Sequence, residues 1–514
     1  MGSQINKDWA ATLRSWLHPR VITMLFLGFS AGIPILLIFS TLSAWLTEAG
    51  VKKSAVTFFS WAALGYSFKF VWAPLIDRMP LPYLTRRLGR RRAWMVVSQF
   101  CVMGAIFLMA LVDPAASHSH LTAMAWAAVL LGFSSATQDI VIDAYRIECA
   151  ERELQAMLSA TYIAGYRIGM LVAGAGSLAL AAYLGTTVDT YSYMAWRITY
   201  FGVGFCMIVG LVTALVVPEP IRGAGVQKTE YSTQEYLRFF ALFLGAASVF
   251  VLVFFYSGAL MVPIKQWLGE LLGPLAGIAG FLVETARLFI SLGAGLIGAR
   301  TLVALGLVNR EMLNDTYIEP VKDFFTRYGM KLAVLLLLLI GFYRISDIVL
   351  GVISTVFYLE IGFSKTQIAS IVKTFGLLMT IAGGFLGGML TVRYGVLKIL
   401  FLGGVLAAAT NILFMLLASA GPSLLMLKAV VAADNLAAGL ASAAFVAFLS
   451  SLTSISFTAV QYAVFSSLMS LFPKLLGGYS GSIATSIGYS NFFLLTTLMG
   501  IPVLFLIWLV RDVK

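Results

Sequence analysis

Ala73-Pro74-Leu75-Ile76-Asp77-Arg78, followed after an insertion by Gly89-Arg90-Arg91-Arg92, returns far down the chain as Gly388-Met389-Leu390-Thr391-Val392-Arg393-Tyr394-Gly395. Each copy closes one apolar run and opens the next through a glycine flanked by basic residues. The copies are not identical: Ala73 stands where the second has Gly388, and Val392 stands where the first has Asp77. Taken alone, either copy is a positively charged turn between two apolar segments. Taken together, they mark two related halves, a layout in which a substrate site lies between the halves near the membrane midplane.

The composition around these turns excludes a soluble globule. Sixty per cent of the residues are hydrophobic and only 11% are charged, and apolar segments of twenty or more residues recur along the whole length. Each is long enough to cross a hydrocarbon layer about 30 Å thick. We count fourteen, at about 21–46, 55–76, 93–112, 121–145, 155–183, 198–217, 238–262, 272–299, 332–358, 366–391, 396–418, 425–450, 459–484 and 489–510. The stretch Met1–Arg20 is polar, and the run after it is too long for a signal-peptide core, so no cleaved leader is expected. The expectation is an all-α polytopic membrane protein.

Lysine and arginine placement gives the orientation. With the N-terminus inside, one set of loops carries Arg14, Arg20, Arg78, Arg86, Arg87, Arg90–Arg92, Arg146, Arg310, Lys322, Arg393, Lys398 and Arg511. The opposite loops hold little beyond Lys52, Lys53, Arg197, Lys265 and Lys365. This asymmetry and an even span count place both termini in the cytoplasm. The net charge of +12 therefore reflects topology and contact with membrane lipid. No soluble basic domain is present to dock nucleic acid. Cys101, Cys149 and Cys206 show no pairing or metal-ligand spacing, so neither a metal nor a cofactor is expected.

Three divisions follow. Residues 1–220 form a first six-helix bundle, ending at Val216-Val217-Pro218-Glu219-Pro220; 221–330 hold two polar linkers around two extra spans; 331–514 form a second six-helix bundle.

The chemistry-bearing residues are those buried in spans. Asp139 and Asp143 stand four apart within Ser135-Ala136-Thr137-Gln138-Asp139-Ile140-Val141-Ile142-Asp143, on one helix face with Gln138 beside them. An ionisable residue at such depth costs about 3 kcal/mol, so it is paired, solvated or functional. His18, His118 and His120 lie outside the apolar spans, which leaves carboxylates as the proton carriers. Asp139, Asp143 and Asp434 are the candidates, with a static helix-bridging network as the alternative.

Cations inside spans are Lys69, Arg167, Arg344 and Lys474. A guanidinium suits a carboxylate because its planar fork makes two hydrogen bonds at once. Arg344 and Asp347, three apart, either neutralise each other or serve a substrate. Arg167 either serves a substrate or neutralises Asp139 or Asp143. Lys69 either enters the site or snorkels to the nearer surface. Asp434 has no partner within its helix and either works on a proton or pairs with Lys474. Gln138, Tyr166, Gln461, Tyr462 and Asn435 either contact a polar ligand or bridge helices. Glu284 and Arg287, in the extra spans, are expected to neutralise each other, and Gly165, Gly169, Gly174 and Gly176 to let helices approach.

The repeated turn resembles the signature between the second and third helices of the major facilitator superfamily. That resemblance implies that Asp77, Arg78, Gly89, Arg90, Arg91 and Arg393 lock neighbouring helices and gate the cytoplasmic side. A narrower resemblance rests on four stretches. They are Gly28-Phe29-Ser30-Ala31-Gly32-Ile33-Pro34, Phe68-Lys69-Phe70-Val71-Trp72-Ala73-Pro74-Leu75-Ile76-Asp77-Arg78, Ser134–Arg146 and Gly165-Tyr166-Arg167-Ile168-Gly169-Met170-Leu171. These look like the AmpG muropeptide permeases. The likeness is dense from about 20 to 220 and thinner from 330 to 511, where Phe457-Thr458-Ala459-Val460-Gln461-Tyr462-Ala463 fits the eleventh core helix.

The resemblance implies a monomeric, proton-driven importer of peptidoglycan turnover fragments, GlcNAc-1,6-anhydroMurNAc and its peptides, in the bacterial inner membrane. It would serve wall recycling and β-lactamase induction. A carrier of another anionic solute, such as a nucleotide-linked acyl group, is the alternative. No nucleophile constellation, metal motif or soluble catalytic domain points to an enzyme.

Overall fold

The computed structural model describes residues 16–51, 59, 66, 68–151, 154–187, 189–220, 231–272, 276–364, 367–477 and 480–511. Among these, every regular element is helical. Thirteen helices or helix pairs are long and apolar enough to cross a membrane. They correspond to the fourteen expected spans except the second, 55–76, most of which lies outside the described residues.

The chain divides into two units, one formed by Met1–Ala224 with Tyr328–Lys514 and the other by Gly225–Arg327. In the larger unit the first half runs α1 (Pro19–Ile38), α2 (Ser40–Glu48), α3 (Ala73–Arg78), α4 (Arg90–Ala110), α5 (His118–Glu148), α6 (Gln155–Leu171), α7 (Ser177–Tyr183), α8 (Tyr193–Cys206) and α9 (Ile208–Val216). The smaller unit is built on α10 (Thr233–Leu272) and α11 (Ala276–Ala304). The chain returns to the larger unit within α12 (Glu319–Phe342), at Tyr328, and the second half runs on through α13 (Ile345–Ile361), α14 (Gly376–Tyr394), α15 (Val396–Ala420), α16 (Leu424–Leu452), α17 (Thr458–Gly477), α18 (Ser480–Ile487) and α19 (Tyr489–Leu509). The helical path of α12 is broken at Gly329, whose φ of 71° no helix interior accepts.

Helix boundaries follow ordinary capping chemistry. Ser117 caps α5 by accepting the His120 N–H, and Ser192 caps α8 by accepting the Ala195 N–H. The two copies of the repeated turn share a backbone. Gly89 (φ 86°) and Gly395 (φ 89°) each precede the first residue of the following helix, α4 and α15. Both lie in the left-handed region, so each position needs glycine.

Within the first half, α1 and α6 meet backbone to backbone. A Cβ on Gly28 would stand 2.2 Å from the Tyr162 carbonyl oxygen, and one on Gly165 would stand 2.0 Å from that of Leu25. In the second half, α14 and α16 use the same device, with a Cβ on Gly383 falling 2.1 Å from the Leu436 carbonyl. Lipid tails are as apolar as leucine, so membrane helices gain from such close approach rather than from hydrophobic burial.

The halves of the larger unit also touch. Their contacts gather at the end carrying the arginine-rich turns: the Trp16 and Phe385 rings meet at 4.7 Å, tilted by 60°, and Gly388 lies against Ala160. In the smaller unit Arg287 donates to the Phe254 carbonyl and lies 4.0 Å from the centre of its ring. Glu284, expected to neutralise Arg287, lies outside the residues whose side chains are described.

Candidate transport site and gate

The first copy of the repeated turn assembles a buried charge network. Arg91, 1% exposed, sits at the start of α4 and reaches Asp77 of α3 at 2.6 Å and Glu148 of α5 at 2.5 Å. Arg90 adds weaker pairs to the same two carboxylates, at 3.5 and 3.7 Å. Glu219, in the Pro-Glu-Pro segment after α9, accepts the backbone N–H groups of Arg91 at 2.8 Å and Arg92 at 3.0 Å. A carboxylate at a helix N-terminus satisfies orphan donors and meets the positive end of the helix dipole. Four elements of the first half are thereby tied at one end. Arg78 lies 5.8 Å from the ring centre of Phe457 in the second half.

Sequence reasoning missed Glu148 and Glu219. The Pro-Glu-Pro punctuation was a signal for Glu219. Glu148 carried none, because it lies five residues beyond Asp143 and shares no helical register with it.

Deeper in the first half lies the carboxylate pair. Asp143 meets Lys69 at 3.6 Å and Arg146 at 3.2 Å, all three side chains being buried. Lys69 is only 6% exposed, so it points inward to the carboxylate. Asp139, one turn away, has no ion pair within 4.0 Å among the described residues. Its Oδ1 is buried without a hydrogen-bond partner. Lys69, Asp143 and the hydroxyls of Tyr66, Tyr162 and Tyr166 lie within electrostatic reach of it. From the opposite half, Tyr462 faces the same pair.

Several sequence candidates lie elsewhere. Gln138 is fully buried and donates to Ser30 of α1 at 3.1 Å, beside the buried Gln99 of α4. One residue along a helix is a turn of about 100°, so its side chain leaves the Asp139 face for the interior of the first half. Gln461 accepts the Ser454 N–H at 2.8 Å and holds the turn that enters α17. Asn435 accepts from Thr380 at 2.9 Å and joins α16 to α14. Arg167 does not neutralise Asp143, whose partners are Lys69 and Arg146, and among the described residues its guanidinium reaches the Met170 sulfur at 3.8 Å. The side chain of Lys474 lies outside the described residues.

The second half contributes a sparser set. Arg344 and Asp347 stand 4.0 Å apart and partly exposed. Asp434 accepts from Thr410 at 3.3 Å and lies within electrostatic reach of Asp347. Arg344 in turn lies within reach of Arg167 across the two halves. Two guanidinium groups on opposite halves repel each other and would both gain from an anion between them. Among the described residues no cluster of histidine, cysteine and carboxylate could hold a metal.

Two helical halves in contact at one end, the first braced there by buried charges, with ionisable groups inside the spans of both, define a membrane transporter. The fold is that of the major facilitator superfamily. The chain superposes on the proton:xylose symporter XylE with a TM-score of 0.56 at 11% identity, covering 98% of this chain and 96% of that one. It superposes on the human organic anion transporter MFSD10 with a TM-score of 0.53 at 12% identity, covering 95% and 99%.

Sequence likeness is more specific. The chain is 30% identical over 488 residues to "Putative transporter AmpG 4" of Rickettsia conorii, covering 95% of each. It is 28% identical over 501 residues to the anhydromuropeptide permease of Escherichia coli K12, covering 97% of this chain and 81% of that one. The model of the family described as acetyl-coenzyme A transporter 1 matches residues 20–184. The protein belongs to the AmpG family and is a multi-pass transporter of the bacterial inner membrane, not an enzyme.

Proposed function

We propose that this transporter imports anhydromuropeptides, GlcNAc-1,6-anhydroMurNAc and its peptides, in symport with protons, with both termini and the arginine-rich turns in the cytoplasm. The substrate rests on the permease of Escherichia coli, whose likeness runs through nearly the whole chain. The coupling rests on Asp139, a carboxylate whose Oδ1 is buried without a hydrogen-bond partner, beside the ion-paired Asp143. A carboxylate with no bonded counter-ion is the one whose protonation costs the site least. Arg167 and Arg344 face each other electrostatically from the two halves and suit the carboxylates of the peptide and lactyl groups. Tyr166, beside Arg167, and Tyr462, beside the carboxylate pair, would offer rings and hydroxyls to the sugars. Asp347 would hold Arg344, and Asp434 would take a second proton or tune the first. Asp77, Arg78, Gly89, Arg90, Arg91 and Arg393 would form the cytoplasmic gate.

The test is uptake of radiolabelled anhydromuropeptide by cells lacking their own permease, with wild type and Asp139→Asn, with and without a protonophore. Loss of uptake under both treatments supports the proposal. Protonophore-sensitive uptake by Asp139→Asn moves the coupling to Asp143 or Asp434. No uptake by well-inserted wild type removes the substrate. The match of residues 20–184 to the acetyl-coenzyme A carrier model favours one second reading, a carrier of nucleotide-linked acyl groups. Competition by acyl nucleotide at an unlabelled excess separates the two.

A further inference from the structure

Arg146 stands at the end of α5, where a basic residue would ordinarily mark the membrane boundary. The structure instead buries it completely. Asp143 holds its guanidinium from one turn back at 3.2 Å. One nitrogen, Nη1, donates to Ser159 of α6 at 3.0 Å and to Ser450 of α16 at 2.8 Å. The same group lies 5.1 Å from the centre of the Tyr462 ring on α17. It therefore crosses from the first half to the second, touching two of its helices, at the end where the halves are in contact.

We propose that Arg146 is a gating residue that carries the state of the paired carboxylates to the arginine-rich gate: while Asp143 is charged, Arg146 is held against Ser450 and Tyr462 and the halves stay shut there. The proposal rests on the proton-coupled reading above. The charged and titratable groups around the guanidinium are few. Asp143 lies on its own helix, with Lys69 beyond it at 3.6 Å from the same carboxylate. Tyr162 faces it from α6 and Tyr462 from α17, and the Cys149 thiol lies within reach just beyond α5. Of these, Asp143 is the sole carboxylate bonded to it among the described residues.

A buried guanidinium that loses its only counter-ion is left with neutral hydroxyls and a ring, and the desolvation penalty then drives it toward water. Water lies on the arginine-rich side, so the relaxation pulls the guanidinium away from Ser450 and parts the halves. Neutralising Asp143, directly or by passing it the proton from Asp139, is thus linked to opening at that end. Re-ionisation on the cytoplasmic side re-forms the pair and closes it. Arg146 need not touch the substrate for this.

The test is a distance measurement between nitroxide labels on the full chain in lipid nanodiscs, at Glu151→Cys in the first half and Ile455→Cys in the second. Both sites are exposed. The three native cysteines are replaced by serine in the background. Arg146→Gln should move the distribution from its short to its long component, and Asp143→Asn should do the same. The double variant should go no further than either single one, since both act through one contact. Arg146→Lys, keeping the charge without the fork, should restore part of the short component. Ser450→Ala, which removes only the bond between halves, should give an intermediate shift and carries the test if Arg146→Gln does not fold.

A long component in Asp143→Asn with none in Arg146→Gln would overturn the proposal. So would an unchanged distribution in both, or, where Arg146→Gln does not fold, an unchanged distribution in Ser450→Ala. The measurement uses neither substrate nor a proton gradient. Failure of muropeptide uptake would therefore be seen separately from failure of the gate.

Discussion

The two copies of the repeated turn have the same backbone and different chemistry. Gly89 and Gly395 adopt nearly the same left-handed φ, and each launches a long helix. Around the first, Asp77, Arg90, Arg91, Glu148 and Glu219 form one buried network. Around the second, Val392 replaces the aspartate and Arg393 lies over the Tyr394 ring at 5.6 Å. The second copy keeps what the backbone requires and has a valine where the first has its aspartate. The same contrast separates α5 from α16. One carries an ion-paired carboxylate next to one that has no ion pair among the described residues, whereas the other carries Asp434 bonded to a threonine. Backbone geometry constrains both halves alike, while the buried ion pairs gather in the first.

The sharpest way to break this contrast is Arg91→Gln against Arg393→Gln. Removing this buried cation leaves Asp77 and Glu148 with only the longer Arg90 pairs, a loss of up to about 3–5 kcal/mol. Thermal unfolding in detergent should show a large drop in Tm for the first and little for the second. Equal drops would mean that both turns lock their halves.

Next come the carboxylates. Asp139→Asn should abolish protonophore-sensitive uptake with the folded yield intact, whereas Asp434→Asn should reduce uptake and leave its protonophore sensitivity. Initial rates of labelled muropeptide uptake decide it, and the reverse ranking would move coupling to the second half.

Packing should show the halves to be equal. Gly165→Ala and Gly383→Ala each place a Cβ about 2 Å from a carbonyl oxygen, so each should lower stability by at least ~1–3 kcal/mol. Gly176→Ala, with nothing nearer than 3.7 Å, should be tolerated. Size-exclusion yield and Tm of the three variants test this. A tolerated Gly165→Ala would show that α1 and α6 can part.

The smallest effect is expected from Glu219→Gln. It keeps an acceptor for the Arg91 and Arg92 N–H groups but removes the charge at the α4 N-terminus. The helix-dipole contribution is about 0.3–1 kcal/mol, and it should shrink further at high salt, which a Tm series in sodium chloride would reveal.

Class and the positions of the described spans were legible in the chain because a hydrocarbon layer imposes one rule on every residue. Segments must be long, apolar and internally hydrogen-bonded. The glycine at each turn was legible for a similarly local reason, since left-handed backbone excludes side chains. The Asp139–Asp143 spacing was readable from helical periodicity alone. What periodicity could not give was any partner on another helix. Lys69 looked equally suited to snorkelling or pairing until its distance to Asp143 was known. Gln138 looked like a neighbour of Asp139 until the rotation of α5 turned it toward Ser30. Arg146 passed for a boundary marker, and only the approach of α16 and α17 made it a buried bridge. Sequence by itself determined the membrane class, the duplication and the inventory of ionisable groups. Tertiary structure decided which charges meet, because ion pairs and hydrogen bonds act over a few ångströms between helices whose relative placement no local pattern encodes.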